Sequence, residues 1–493
     1  MQNMRWIVLF TFCVLGQLAQ AQGGATLSGK VTRPKADSIR VSWHPQPLDP
    51  REQTIGARLS SKGEFRLDIP LTAPTLLELS YGEEEVPLFL EPGNALQLRF
   101  KSGELLTSLK YSSADGSTHR PAAAANGYLA EVENEFASNE GYQVLPENIE
   151  LYEKPFLSFL DYRRDKQEKL FKKAGGPAAF SPAFAAFAQA EIRYLYANDR
   201  LTYPDLREQV VGTEGRLKLS PEFYSFLGDP AVVPGDEAAP TSPQVQEFML
   251  NYVHYQVRTE GKSLTSPAYY PACYQLADRT FKGALRPLIL GRVLLETFRF
   301  GHIEHARAML KDYATTAGAP APWLELLRRD LDEHKELAIG APAPPLPLHT
   351  PEGDTVRLAV YTGRLVYVMF WDSRLPMSQR ELPYLKEVVK EFAGKPIVFV
   401  SAGFDDAASK KLPAAAVAAP SVAPAVVPPK ARPAVRESYD IETLPSFVLI
   451  AEDGTVLDPN PKRLSSHALL DDLRAAFGKA AAYRAVSVKN VKR

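Results

Sequence analysis

The period of the apolar residues changes along this chain, so no single kind of layer can hold all of it. Between residues 25 and 100 short runs recur at 26–31, 38–43, 64–69, 75–79, 86–90 and 96–100. Phe65-Arg66-Leu67-Asp68-Ile69 alternates apolar and polar, which puts one face of a strand inward. Lys62-Gly63, Tyr81-Gly82 and Pro92-Gly93-Asn94 supply turns between the runs. This spacing predicts an antiparallel β-sandwich over residues 22–100. Residues 101–124 are polar and rich in Ser, Gly and Ala, and read as a linker. From Asn126 the period becomes helical. Tyr152, Phe156, Phe159 and Leu160 form one stripe, Phe184, Phe187, Ile192 and Leu195 a second, and Leu288, Leu290, Val293, Leu294 and Phe298 a third. An all-α domain is therefore expected over 125–337.

From residue 338 to 478 the pattern is mixed. Residues 365–371 and 397–401 are almost continuously apolar, as strands covered on both faces are. A helix is expected at about 378–392 and a last one at about 466–477, with the turn Asp453-Gly454 between two short strands. Residues 413–435 hold six Pro, nine Ala and five Val. Proline at that density forbids a continuous helix, so the segment reads as an exposed insertion, either a passive linker or a docking strip.

Residues 1–21 read as a secretory signal peptide: Arg5, an apolar run from Trp6 to Leu15, then Ala19-Gln20-Ala21 for cleavage. The run is too short to span a bilayer, which leaves no transmembrane segment after cleavage. Residues 479–493 form a spaced, basic tail. Lys plus Arg (57) nearly balance Asp plus Glu (58), for a formal charge of −1, so there is no basic field to recruit nucleic acid. Of two cysteines, Cys13 lies in the signal segment; the exported chain keeps Cys273 alone, without an internal disulfide partner. His302 and His305 have a spacing that starts some metal sites, but no further ligand is evident, and neither a metal nor a cofactor is expected.

The C-terminal pattern resembles the TlpA/ResA-like thioredoxin-fold proteins of bacterial envelopes. The residues that carry the likeness are 339–344 (IGAPAP), Gly363-Arg364-Leu365-Val366, Phe370-Trp371, Glu381-Leu382-Pro383, and 444–450 (LPSFVLI) with Asp453-Gly454. Ser28-Gly29-Lys30-Val31, Gly63-Glu64-Phe65 and Leu90-Glu91-Pro92-Gly93 are similar to an N-terminal β domain fused to such proteins in Bacteroidota. The resemblance implies a multidomain α+β chain: an N-terminal antiparallel β-sandwich, a central helical domain and a C-terminal thioredoxin-like α/β domain.

The family carries a Cys-x-x-Cys motif between Phe-Trp and Glu-Leu-Pro. Here those four positions are Leu375, Pro376, Met377 and Ser378. Thiol–disulfide exchange needs an attacking thiolate and a resolving thiol, and neither stands there. The resemblance then implies a surface without a covalent step. Trp371, Arg374, Leu375, Met377, Leu444 and Pro445 are expected to line it, against a protein or peptide partner in the periplasm or cell envelope. The Leu444–Pro445 bond is expected to be cis. The alternative reading is an envelope thiol–disulfide oxidoreductase that draws its thiol from Cys273 or from a partner.

Overall fold

The computed structural model describes residues 24–211, 217–229, 232, 242–262, 264, 266–316, 318–406, 408–414 and 418–477. The expected signal peptide 1–21 and the expected basic tail 479–493 lie outside them. The chain is mixed α/β and divides into two compact units.

The first unit, with described residues 24–43, 54–133 and 177–181, is built on a two-sheet sandwich. Its strands are β1 (Ala25–Thr32), β2 (Ser38–Trp43), β3 (Gln53–Arg58), β4 (Glu64–Ile69), β5 (Thr75–Tyr81), β6 (Glu84–Leu90), β7 (Ala95–Lys101) and β8 (Lys110–Ser113). The sheets run β4-β1-β7-β8 and β3-β2-β5-β6. Alternate residues face inward, so Leu27, Phe65 and Leu98 of one sheet share a core with Val41, Leu79 and Leu88 of the other. Two expectations need correction. The sandwich is not wholly antiparallel, because β1 and β7 pair in parallel, as strands joined by a long connection can. The stretch 101–124 is not a plain linker. It contains a short helix, α1 (Leu105–Ser108), then β8 paired to β7, then the start of α2 (Pro121–Val132). β3 carries only Ile55 and Ala57 as weak inward signals, and lies at a sheet edge, where burial demands little of a sequence.

The second unit holds both the helical region and the C-terminal α/β region. The helices are α3 (Glu153–Lys173), α4 (Pro182–Val211), α5 (Pro243–Thr259), α6 (Tyr269–Thr280), α7 (Leu285–Arg299), α8 (Ile303–Thr316) and α9 (Ala321–His334). Phe248, Val253, Tyr270, Leu288, Leu294 and Leu327 sit in their main core. Tyr152 leaves its expected stripe: it stands before the first turn of α3, exposed, with the Arg207 guanidinium 5.4 Å from its ring centre.

The C-terminal sheet joins β9 (Leu348–His349), β10 (Thr355–Val356), β11 (Leu365–Trp371), β12 (Ile397–Gly403), β13 (Val422–Val426), β14 (Ser446–Ile450) and β15 (Val456–Asp458) in the order β10-β9-β13-β12-β11-β14-β15. β11 and β12 are buried along their whole length. The reason is visible in the parity of β11. Leu365, Tyr367, Met369 and Trp371 face a core shared with α10 (Pro376–Glu391) and a last helix at 468–477; Val366, Val368 and Phe370 face the opposite core with Leu337, Val435 and Tyr439.

The described residues of the segment 413–435 do not form an exposed insertion. Its residues 422–426 form β13, parallel to β12, and a short helix follows at Arg432–Ser438. Val422, Ala425 and Val427 are buried. Proline is accommodated by parity. Phe399 N–H donates to Ser421 O and Val427 N–H to Gly403 O, each at 2.8 Å, so the odd-numbered amides of β13 face β12. Pro424 faces the other side, where β9 meets β13 only at Val426. Its missing N–H therefore costs no bond to β12. Ala425→Pro should lose about 2–3 kcal/mol in urea unfolding, whereas Pro424→Ala should stay within about 1 kcal/mol. Equal losses would place the ladder on the wrong parity.

Candidate functional site

The chain leaves the buried end of β11 at Trp371 and enters α10 five residues later. Pro376 takes the first helical position, where its absent N–H is harmless, and Leu375 is the N-cap residue without a side-chain cap. The intervening loop is held by buried polar groups. Ser373 donates from its amide (2.6 Å) and its hydroxyl (2.9 Å) to Asp405. Its carbonyl accepts from Gln379 Nε2 (2.8 Å) and Lys411 Nζ (3.2 Å). The Asp372 carboxylate accepts from the Arg374 amide and from its guanidinium Nε, both at 2.9 Å. The side-chain bonds from Arg374, against the cost of burial, hold the Asp372 carboxyl down at about 2, so this pair stays ionised at neutral pH.

This scaffold separates the four residues at the family's motif positions. Leu375 and Met377 are 40% and 46% exposed. Ser378 is fully buried and its Oγ accepts the Asp372 amide at 3.3 Å. The first motif position thus faces solvent and the last faces the core. Tyr384, two turns along α10, is also exposed. The Leu444–Pro445 bond is cis, and both residues are half-buried, with Leu444 against the core on the far face of the sheet. Trp371 does not line a surface. Its odd parity in β11 buries it completely, and its Nε1–H donates to Ser401 Oγ at 2.7 Å. Arg374 is exposed, with its charge matched by Asp372.

Cys273 is fully buried in α6. The Glu296 carboxylate lies 2.6 Å from His254 Nε2, and His254 Nδ1 faces the Tyr269 hydroxyl at 2.9 Å and Cys273 Sγ at 3.8 Å. Burial chiefly, then the field of Glu296, pushes the Cys273 thiol up to about 12. At neutral pH it is a packed thiol, not a nucleophile. Sequence reasoning found the cysteine but not this surrounding, since its partners come from three helices.

His302 precedes the first residue of α8, so it does not share a helix face with His305, and its ring packs on Tyr270. Among the described residues no group of three His, Cys, Asp or Glu is placed to hold a metal ion, and no helix is long and apolar enough to cross a membrane. A cluster that sequence reasoning missed joins α9 to the turn before β14. His334 Nε2 lies 3.0 Å from Asp440 Oδ2, and its Nδ1 faces the Asp330 carbonyl (2.8 Å) and carboxylate (3.4 Å).

No protein-family model matches the chain, and comparison with curated proteins finds no match. Solved structures do show likeness. A putative thiol-disulfide oxidoreductase from Bacteroides vulgatus is 25% identical, with a TM-score of 0.24, over 28% of this chain and 97% of that one. A second from the same organism is 26% identical, with a TM-score of 0.25, over 29% of this chain and 93% of that one. A putative thiol:disulfide interchange protein from Chlorobium tepidum is 23% identical, with a TM-score of 0.22, over 29% and 96% respectively.

Proposed function

We propose that this is an exported envelope protein whose C-terminal region is a thioredoxin-type fold without thiol chemistry, and that it binds extended polypeptide at the N-terminal end of α10. The observation that carries the reading is the pair Leu375 and Met377. They are apolar and exposed at the end of a rigidly held loop, where the resembling family has its exposed thiol. Arg374 and the half-buried Leu444 and Pro445 are the further residues assigned to this surface. The charged start, short apolar run and Ala-x-Ala site support export. The oxidoreductase alternative that draws its thiol from Cys273 needs a reachable thiolate, and the burial of Cys273 opposes that source.

The test uses S-alkylated insulin B chain, an unfolded peptide that offers no disulfide. The full chain should bind it saturably. Leu375→Asp should weaken binding about tenfold or more, since a desolvated leucine side chain is worth about 1.5–3 kcal/mol and a buried carboxylate costs further. Unchanged binding with an unchanged melting temperature would remove this surface from the account.

A further inference from the structure

The chain has six methionines. Four fall in the described residues: Met249, Met309 and Met369 are 0%, 8% and 2% exposed, against 46% for Met377. Two-electron oxidation of a thioether requires the oxidant to reach a sulfur lone pair, so burial protects three of these and leaves one open. Met377 also has a polar neighbour suited to the product. Its Sδ lies 3.7 Å from Arg380 Nη1, one turn along α10. Among the described residues no carboxylate lies within ion-pair distance of Arg380, so its guanidinium is available to a new acceptor oxygen.

We propose that Met377 is a selective site of oxidation to methionine sulfoxide by peroxide, and that the change switches the end of α10 from apolar to polar. This rests on the polypeptide-binding reading for its consequence, though not for its chemistry. In the step, the sulfur lone pair attacks one peroxide oxygen. The O–O bond breaks, an S–O bond forms, and the proton on the transferred oxygen passes to the departing hydroxide, which leaves as water. Sulfur loses two electrons and peroxide gains them. The new oxygen is a strong acceptor beside Arg380, and it places a polar group where Leu375 and Met377 offered an apolar one. The change is reversible by methionine sulfoxide reductases.

The experiment treats the full chain with limiting hydrogen peroxide and follows oxygen uptake by peptide mass. Met377 should gain one oxygen about tenfold or more faster than Met249, Met309 or Met369. The oxidised protein should bind S-alkylated insulin B chain about tenfold more weakly, and methionine sulfoxide reductases should restore the affinity. Met377→Leu should lose the response to peroxide, whatever its own affinity. Oxidation first at another of the described methionines, or a full oxygen on Met377 with unchanged binding, overturns the proposal. If the untreated protein does not bind the peptide, the binding reading falls and the switch with it, while the order of oxidation still decides whether Met377 is the selective site.

Discussion

Insulin reduction is expected to appear when Leu375 and Ser378 are both replaced by cysteine. The N-cap position of a 16-residue helix is where a thiol is acidified most readily, towards about 7, because the first-turn amides face it. Leu375 is exposed enough to attack, and Ser378, three residues on and buried, is placed to resolve the mixed disulfide without solvent competition. The double variant should therefore reduce insulin with dithiothreitol at about tenfold or more over the reagent blank. Each single variant should stay at the blank, since one lacks the attacking thiol and the other the resolving thiol. Failure of a folded double variant would mean that the loop before α10 does not present these positions as such a site requires.

Stability should depend strongly on His334. Burial works against its charged ring, but the hydrogen bond to Asp440, the Asp330 carbonyl and the two carboxylate fields outweigh it and raise the group from 6.5 to about 9. Asp440 is lowered, first by its bond from His334. Asp330 is raised to about 6, because burial exceeds the pull of His334, with Glu333 and Asp440 adding to the rise and Arg299 opposing it. Asp440 is thus the carboxylate that carries the ion pair. It has a left-handed backbone, with φ of 47°, which a non-glycine residue holds only when its surroundings fix it. A raised histidine contributes stability that is complete below about pH 6.5 and disappears as pH rises through about 9, roughly 3 kcal/mol in all. His334→Ala should cost about 3 kcal/mol at pH 6, because it also leaves Asp440 without its cation. The gap between wild type and variant should narrow between pH 6.5 and 9. The Asp330 contribution has the same sense in a lower window: as pH falls below about 6 its protonation relieves a buried charge and stabilises the fold. Urea titrations across pH 5–10 measure both. A gap that stays flat from pH 6 to pH 10 would show that His334 is not charged.

The sequence made parts of this architecture legible because their physics is local. β11 and β12 announce themselves as unbroken apolar runs, and α10 as a stripe of Leu382, Leu385, Val388 and Val389. β13 was hidden because its signal is parity, not composition: Pro424 fits only because its nitrogen faces away from β12, which no count of prolines reveals. Trp371 shows the same lesson at the site. It follows Phe370 in a run buried on both faces, and only its register with Tyr367 and Met369 turns it under α10. His334 and Asp440 lie more than a hundred residues apart, and the Cys273 surroundings come from α5, α6 and α7. Neither cluster has a local pattern to read.

Recognition without thiol chemistry is tested on the wild-type chain by two measurements, insulin reduction and binding of S-alkylated insulin B chain. Binding should be saturable, and reduction no faster than with dithiothreitol alone. Reduction above that blank, abolished by Cys273→Ala, would contradict this reading.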